Sequence, residues 1–117
     1  MKTICVMREV FRAMANFESA FEEVYHLSLN EAMILCALQE AQEQMTATNL
    51  SKRTELSPSH TSKMLRILEE KKLIERTLGD ADKRLMKFTL SKEGKKCVRE
   101  MELEKVKIPE ILKPLFE

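Results

Sequence analysis

Residues 57–94, SPSHTSKMLRILEEKKLIERTLGDADKRLMKFTLSKEG, decide the fold because they join a capped helix to a β-hairpin. Ser57 is a favourable N-cap, and Pro58 suits the first helical position, where its missing N–H costs nothing. Two strand-like runs, LIERTL and RLMKFTL, follow the helix, and the Gly and Asp residues between them favour a tight turn. The predicted elements are a helix over 58–71 and strands over 73–78 and 84–90.

The predicted helix over 58–71 has one apolar and one polar face. Thr61, Leu65 and Leu68, with Met64 alongside, recur at the three- and four-residue spacing of a buried stripe. The opposite face carries short polar and basic side chains, which predict contact with a negatively charged polar surface; their simpler interpretation is a solvated face. These outer residues are Ser59, His60, Ser62, Lys63 and Arg66.

Further helices are predicted on both sides of this stretch. Apolar residues recur at spacings of three and four from Thr3 to His26, and Thr46 and Ser91 are favourable N-caps for later helices. A short capped helix just before Ser57 would pair with the helix after it, and such a pair is typical of a helix-turn-helix. The additional helices are predicted over 3–26, 31–41, 47–54 and, from Ser91, to about Lys107.

The predicted fold class is mainly α with a small β-hairpin: a winged helix-turn-helix with flanking dimerisation helices. At 117 residues the chain is long enough for one domain with a real core. Within that single domain, 1–117, we expect an N-terminal dimerisation helix over 1–26, the winged helix-turn-helix over 27–90, and a C-terminal helix and tail over 91–117.

The charge of the chain is segregated although its formal net charge is only +1. Residues 1–45 hold three Lys and Arg against seven acidic residues, and residues 100–117 hold three against five. Residues 46–99 hold fourteen against seven. A basic middle between acidic ends is the pattern expected of a nucleic-acid-binding core with flanks of another role.

Double-stranded DNA is therefore the expected partner. The major groove of B-DNA admits one α-helix, so the outer face of helix 58–71 would reach base edges. Residues near helix N-termini bind phosphate well, and an extended basic turn suits the adjacent minor groove. Helix caps and an ordinary polar turn are the competing interpretations. The expected contacts outside that helix are Thr46, Asn49 and Ser57 near the helix starts, and Asp82, Lys83 and Arg84 in the turn.

A broad apolar stripe on the first helix predicts packing against a second copy of the chain, or alternatively against the chain's own core. We expect the C-terminal helix and tail to add to this surface. The predicted dimerisation residues are Ile4, Met7, Phe11 and Met14 on the first helix and Val98, Met101, Ile108 and Leu112 near the end.

Other classes of protein are not favoured. No apolar run approaches the ~20 residues of a membrane span, and Arg8 and Glu9 interrupt the N-terminal apolar residues, so no secretory signal is expected. Three scattered cysteines, Cys5, Cys36 and Cys97, favour free thiols in a reducing cytoplasm. No metal-ligand spacing or catalytic set occurs, so we expect neither an enzyme nor a cofactor.

The wing sequence resembles that of the multiple-antibiotic-resistance regulator (MarR) family. Asp82 and Arg84, followed by Leu90, Ser91 and Gly94, are similar to the family signature Asp-x-Arg, a strand, then Leu-Thr-x-x-Gly. LSPSHTSKMLRILEEKKLIER looks like its recognition helix and first wing strand, and LSLNEAMILCAL like its second helix. Ser91 replaces the family's threonine, Gly79 stands where family wings often have an extra Asp-x-x, and Lys72 stands where glycine is common.

The resemblance implies a transcription regulator, most often a repressor, that acts as a homodimer. It also implies release from DNA by a small apolar or phenolic effector bound between the dimer interface and the DNA-binding lobe. The chain after Gly94 is short for the family, so a smaller or rearranged dimer interface is expected. Two alternatives stay open: a winged helix used for protein–protein contact, and a thiol-based redox sensor that uses Cys5 or Cys97.

Overall fold

Five α-helices, three short strands and a C-terminal 3₁₀ helix follow one another in the computed structural model, which describes residues 2–77, 86–101 and 106–116. This confirms the predicted mainly helical fold with a small hairpin. The elements are α1 (Thr3–Tyr25), α2 (Leu29–Ala41), β1 (Met45–Thr46), α3 (Ala47–Thr54), α4 (Pro58–Glu70), β2 (Ile74–Thr77), β3 (Lys87–Leu90), α5 (Lys92–Met101) and the 3₁₀ helix (Glu110–Phe116).

The chain divides into two compact units, each with its own buried residues. The first comprises Met1–Leu29 and Glu104–Glu117, and in it α1 contacts the 3₁₀ helix. Phe21 is buried in this unit, and its ring centroid lies 4.8 Å from that of Tyr25. The second unit, Asn30–Leu103, contains α3, α4 and the sheet. Its fully buried side chains include Ile34, Leu35, Leu50 and Leu68.

The three strands form one antiparallel sheet in the order β1-β3-β2. In this sheet Phe88 of the central strand lies opposite Met45 on one side and Arg76 on the other. The β2–β3 pair, which we call the wing, confirms the predicted hairpin within the residues described. Only two strands, over 73–78 and 84–90, are predicted from the sequence, whereas pairing with β3 makes Met45 and Thr46 a third strand.

Several helix limits differ from those expected, because local capping decides where a helix ends. The first helix ends at Tyr25, since His26 takes a left-handed conformation with φ of 59°. The second begins at Leu29 rather than residue 31. The predicted extension of the last helix to Lys107 was wrong: α5 is described as far as Met101, and residues 106 and 107 are not helical. No helix in the described ranges is both long and apolar enough to cross a membrane.

Candidate nucleic-acid interface

Helix α4 separates its residues into two faces, as its sequence predicts. The inner side packs in the second unit, where Thr61, Met64, Leu65 and Leu68 are buried. The outer side is exposed at Ser59, Ser62, Lys63 and Arg66. In the described part of the chain neither Lys63 nor Arg66 takes part in an ion pair. The outer face of α4 therefore presents short hydroxyls and two cations to solvent.

The predicted caps hold the N-termini of α3 and α4. Thr46 Oγ1 accepts a hydrogen bond from the Asn49 N–H at 3.1 Å, and Ser57 Oγ accepts one from the His60 N–H at 3.1 Å. A hydroxyl that accepts one hydrogen bond still has its own proton to donate. Capping therefore leaves each hydroxyl a proton to donate to an anionic oxygen, and the side chain of Asn49, next to Thr46, is also exposed.

His60 is placed differently from the other outer residues of α4. It is half-buried, and its Nε2 lies 3.4 Å from Nδ2 of Asn30 at the start of α2. The imidazole is thus partly occupied by a contact within the protein, so His60 has less freedom to reach a base than Ser59 or Ser62.

Arg76 of β2 is a residue of this surface that the sequence reasoning missed. Its guanidinium binds Glu69 of α4 through Nε, at 3.1 Å, and through Nη2. Its Nη1 lies 3.2 Å from the Met86 sulfur, and its Cζ lies 5.6 Å from the centroid of the Phe88 ring. The ion pair with Glu69 holds Arg76 beside α4, and the cation–π contact with Phe88 holds its guanidinium against the sheet. A sequence signal existed, because Arg76 and Phe88 both lie in predicted strands, but the pairing register was needed to bring them together.

A groove of about 830 Å³ connects these elements. Its walls combine apolar residues with Arg66 and Arg76, so one side can accept an aromatic or aliphatic group and the other an anion. Thr46, Asn49 and Ser62, all predicted site residues, also line it. The full lining is Thr46, Ala47, Thr48, Asn49, Ser62, Leu65, Arg66, Arg76, Met86 and Phe88.

The predicted contacts at the tip of the wing, Asp82, Lys83 and Arg84, lie outside the described residues. The base of the wing is described, and it begins directly after α4. That helix ends in a Schellman motif: the Lys72 N–H donates to the Glu69 carbonyl at 2.9 Å, and the Leu73 N–H to the Leu68 carbonyl at 3.0 Å. Lys72 has φ of 63°, the left-handed conformation that explains why glycine suits this position.

Ser91 joins the end of α4 to the start of α5. Its Oγ donates to the Lys72 carbonyl oxygen at 2.7 Å and accepts from the Gly94 N–H at 3.0 Å, while its own N–H donates to the Leu73 carbonyl at 3.0 Å. Gly94 permits this close packing, since a Cβ there would lie 2.0 Å from the Leu73 carbonyl oxygen. The Leu-Ser-x-x-Gly pattern thus has a packing reason.

The comparisons with known proteins agree with this geometry. A family model described as MarR family matches residues 27–86, just over half of the chain. The chain belongs to the MarR family. Members of this family are DNA-binding transcription regulators, and the predicted winged helix-turn-helix is confirmed. No curated protein matches the chain significantly.

Solved structures of MarR-family proteins share the fold. A MepR-like protein complexed with pseudoligands is 23% identical, with a TM-score of 0.82 over 97% of this chain and 78% of the other. The S. aureus MepR–DNA complex is 23% identical, with a TM-score of 0.66 over 95% and 85%. A mutant E. coli MarR complexed with operator DNA is 20% identical, with a TM-score of 0.72 over 87% and 75%.

The residues that the MarR resemblance and the apolar pattern assign to dimerisation fall into two groups. On α1, Ile4 is 82% exposed and Phe11 69%, and Met7 and Met14 are also exposed, so they form an apolar stripe open to solvent. Near the other end, Val98 and Leu112 are buried within the chain, and Met101 and Ile108 are half-buried. The first group offers surface to a second copy; Val98 and Leu112 offer little.

The cysteines of this MarR-family chain are free thiols. Burial raises the pKa of the Cys97 thiol, and the nearby Glu100 and Cys36 raise it further, with Lys71 opposing them. A raised pKa keeps the less reactive thiol form, which weighs against Cys97 as the reactive group of a redox sensor. In the residues described, no group of three or more potential ligands could hold a metal ion.

Proposed function

We propose that the chain is a transcriptional repressor that binds a pseudo-palindromic operator as a homodimer. The observation that carries the proposal is the outer face of α4, where small hydroxyls lie beside two cations that make no ion pair with the described residues, on a helix whose other face is packed. A repressor of this kind acts by occupying DNA that RNA polymerase needs.

Helix α4 would lie in the major groove. The Ser59 and Ser62 side chains are short enough to let the helix approach base edges, and Ser can bond to several base groups. The longer Arg66 side chain suits the paired acceptors of guanine, and Lys63 either a base or a flanking phosphate. These residues would supply most of the sequence preference.

Backbone contacts would position the helix. Thr46, Asn49 and Ser57 lie at or near the N-termini of α3 and α4, where free N–H groups and the helix dipole favour phosphate. The wing would reach the adjacent minor groove through Lys83 and Arg84, with Asp82 fixing the turn. Arg76, which lines the groove with Arg66, would add a further guanidinium, whose charge is partly balanced by its ion pair with Glu69.

The exposed stripe of Ile4, Met7, Phe11 and Met14 supports the homodimer. Contiguous apolar surface of this kind commonly marks an interface. Two copies would place their α4 helices in successive major grooves, about 34 Å apart. Light scattering tests this part: Phe11→Glu, which puts a charge in the stripe, should convert a dimer to a monomer. A native chain that is monomeric at micromolar concentration would contradict the proposal.

Release by a small effector is the finer part of the proposal. The groove beside α4 combines the aromatic Phe88 with the cations Arg66 and Arg76, a combination that suits a small aromatic acid. A solved structure in the same fold group concerns regulation of DNA binding of B. bronchiseptica BpsR by 6-hydroxynicotinic acid. We expect such an acid to compete with DNA, since Asn49 and Ser62 line the same groove. Fluorescence anisotropy with added 6-hydroxynicotinic acid is the test, and unchanged DNA affinity at millimolar acid would exclude this acid.

Salt-dependent binding to DNA tests the central proposal. A labelled duplex library of random 30-base-pair sequence is enriched with the native chain, and the dissociation constant of the most enriched duplex is measured at several salt concentrations. Each phosphate contact contributes about 0.9 to the slope of log affinity against log salt. Lys63→Gln should lower affinity and, if Lys63 binds a phosphate, the slope by about one.

The matched control is Lys107→Gln, which removes the same charge from an exposed lysine of the first unit. It should leave affinity and slope unchanged. If the native chain enriches no duplex, or if both variants lose affinity equally, the assignment of α4 to the major groove fails. Transcription in vitro from a template that carries the enriched duplex then distinguishes repression from activation.

A further inference from the structure

We propose that the Ser91 hydroxyl is a positioning group for DNA recognition, because it fixes the angle between α4 and the wing. The inference rests on the proposed function and adds to it a residue that touches no DNA. Ser91 is 5% exposed and follows the last residue of β3. Ser91 would act through the backbone groups to which it is hydrogen-bonded.

The Ser91 hydroxyl joins two turns that the sequence separates by about twenty residues. It donates to the Lys72 carbonyl, in the turn that leads from α4 into the wing, and accepts from the Gly94 N–H, in the first turn of α5. The Ser91 N–H binds the next carbonyl, that of Leu73. Together with the bond from the Lys95 N–H to the Ser91 carbonyl, four hydrogen bonds of 2.7–3.0 Å thus meet at one buried residue.

These bonds act at the point where the direction of the wing is decided. Only residues 71–73 separate α4 from β2, and Lys72 holds a positive φ that a side chain does not favour. The Lys72 carbonyl, which belongs to this turn, is the one that the Ser91 hydroxyl binds. The Gly94 N–H is buried and the bond to the Lys72 carbonyl is partly buried, so losing the hydroxyl leaves both groups without this partner and frees the turn to relax.

The angle matters because α4 and the wing would contact different grooves at once. A binding contact weakens when its groups are misplaced by about 0.5–1 Å. Supporting hydrogen bonds commonly hold such groups in place. If the turn after α4 relaxes, α4 can still enter the major groove, but the wing no longer meets the DNA backbone at the same position. The loss would fall on phosphate contacts and on discrimination between sequences.

The test compares Ser91→Ala with Ser91→Thr, which keeps the hydroxyl, using the native chain's most enriched duplex and a duplex of random sequence. Ile34→Val is the matched control, because it trims a fully buried side chain of α2 without touching the junction. For each variant we would measure the melting temperature, the slope of log affinity against log salt, and the ratio of the affinities for the enriched and random duplexes. The salt slope does not depend on the fraction of folded protein, so it separates positioning from simple destabilisation.

We expect Ser91→Ala to lower the salt slope by about one to two and the affinity ratio about tenfold. Ser91→Thr and Ile34→Val should keep the native slope and ratio. A native slope and ratio in Ser91→Ala, whatever its melting temperature, would overturn the inference while leaving the proposed function intact. If Ser91→Ala does not fold, Ser91→Cys, whose S–H bonds weakly, takes its place with the same two outcomes. Failure of the native chain to enrich any duplex would instead refute the proposed function.

Discussion

Replacing Thr61 with valine should stabilise the chain, because Thr61 has a fully buried hydroxyl with no hydrogen-bond partner in the described structure. Thr61 lies on the inner face of α4, at 0% exposure. The carbonyl one helical turn earlier, that of Ser57, already accepts the Thr61 N–H at 2.8 Å. Valine has nearly the same shape and keeps the β-branched methyl.

The size of the effect follows from two contributions of the same sign. An unsatisfied buried hydroxyl costs about 1–3 kcal/mol, judged from mutations in proteins. The methyl that replaces it adds burial of about 0.8 kcal/mol. Helix propensities of threonine and valine are nearly equal, so they do not alter the sum. We expect the free energy of unfolding to rise by about 1–2 kcal/mol, which allows for imperfect packing.

Urea denaturation followed by circular dichroism measures this change. With a slope of about 2 kcal/mol per molar urea, the middle of the usual range, the midpoint should rise by about 0.5–1 M. Thr61→Ser, which keeps the hydroxyl and removes the methyl, should be less stable than the native chain. DNA affinity should not change in the valine variant, because Thr61 does not reach the surface. A valine variant less stable than the native chain would refute the reasoning, since it would mean that the hydroxyl does have a partner.

Three further predictions concern the second unit. Gly94→Ala should destabilise it by about 3 kcal/mol or prevent folding, since the new Cβ would overlap the Leu73 backbone; a urea midpoint equal to the native one would contradict this packing. Lys72→Gly should raise the free energy of unfolding by about 0.5–1 kcal/mol. It removes the ~1–2 kcal/mol cost of a side chain in the left-handed conformation, and the greater entropy of glycine in the unfolded chain offsets part of that gain. A loss of stability in the same urea assay would count against it. Cys97 should react with iodoacetamide more slowly than the exposed Cys5 at pH 8, because its raised pKa leaves less of the reactive thiolate. Mass spectrometry of timed samples measures the order of labelling. Earlier labelling of Cys97 would show that its thiol is more ionised than we infer.

The elements with strong local signals could be predicted from the sequence. The limits of α3 came out as expected, and the start of α4 did too, because Thr46 and Ser57 are caps whose hydroxyls bond the third residue of each helix. The two faces of α4 followed from its spacing of apolar residues. These features need only neighbours in the chain, so one sequence is enough to find them.

Features that depend on distant residues could not be found in this way. Strand β1 has two residues and no periodicity, and it exists because Met45 pairs with Phe88. Arg76 joins the candidate interface only because the register of the wing places it opposite Phe88 and because Glu69 of α4 binds it. Both cases depend on the pairing of strands in the sheet, whose register a short charged strand does not specify strongly.

The same distinction between local and distant contacts applies to α4: local sequence decides which side chains it exposes, and distant contacts decide its direction relative to the wing. Which side chains face solvent is set by helical periodicity, and substitutions such as Lys63→Gln alter the surface without moving it. The direction of α4 relative to the wing depends instead on backbone carbonyls at Lys72 and Leu73, and on the single hydroxyl that Ser91 brings to them. Because those bonds are few, we expect a change at Ser91 or Gly94 to alter which DNA is selected while every side chain on the outer face of α4 stays the same. Variation in operator preference among chains with identical α4 faces should therefore be sought first at the junction between α4, the wing and α5.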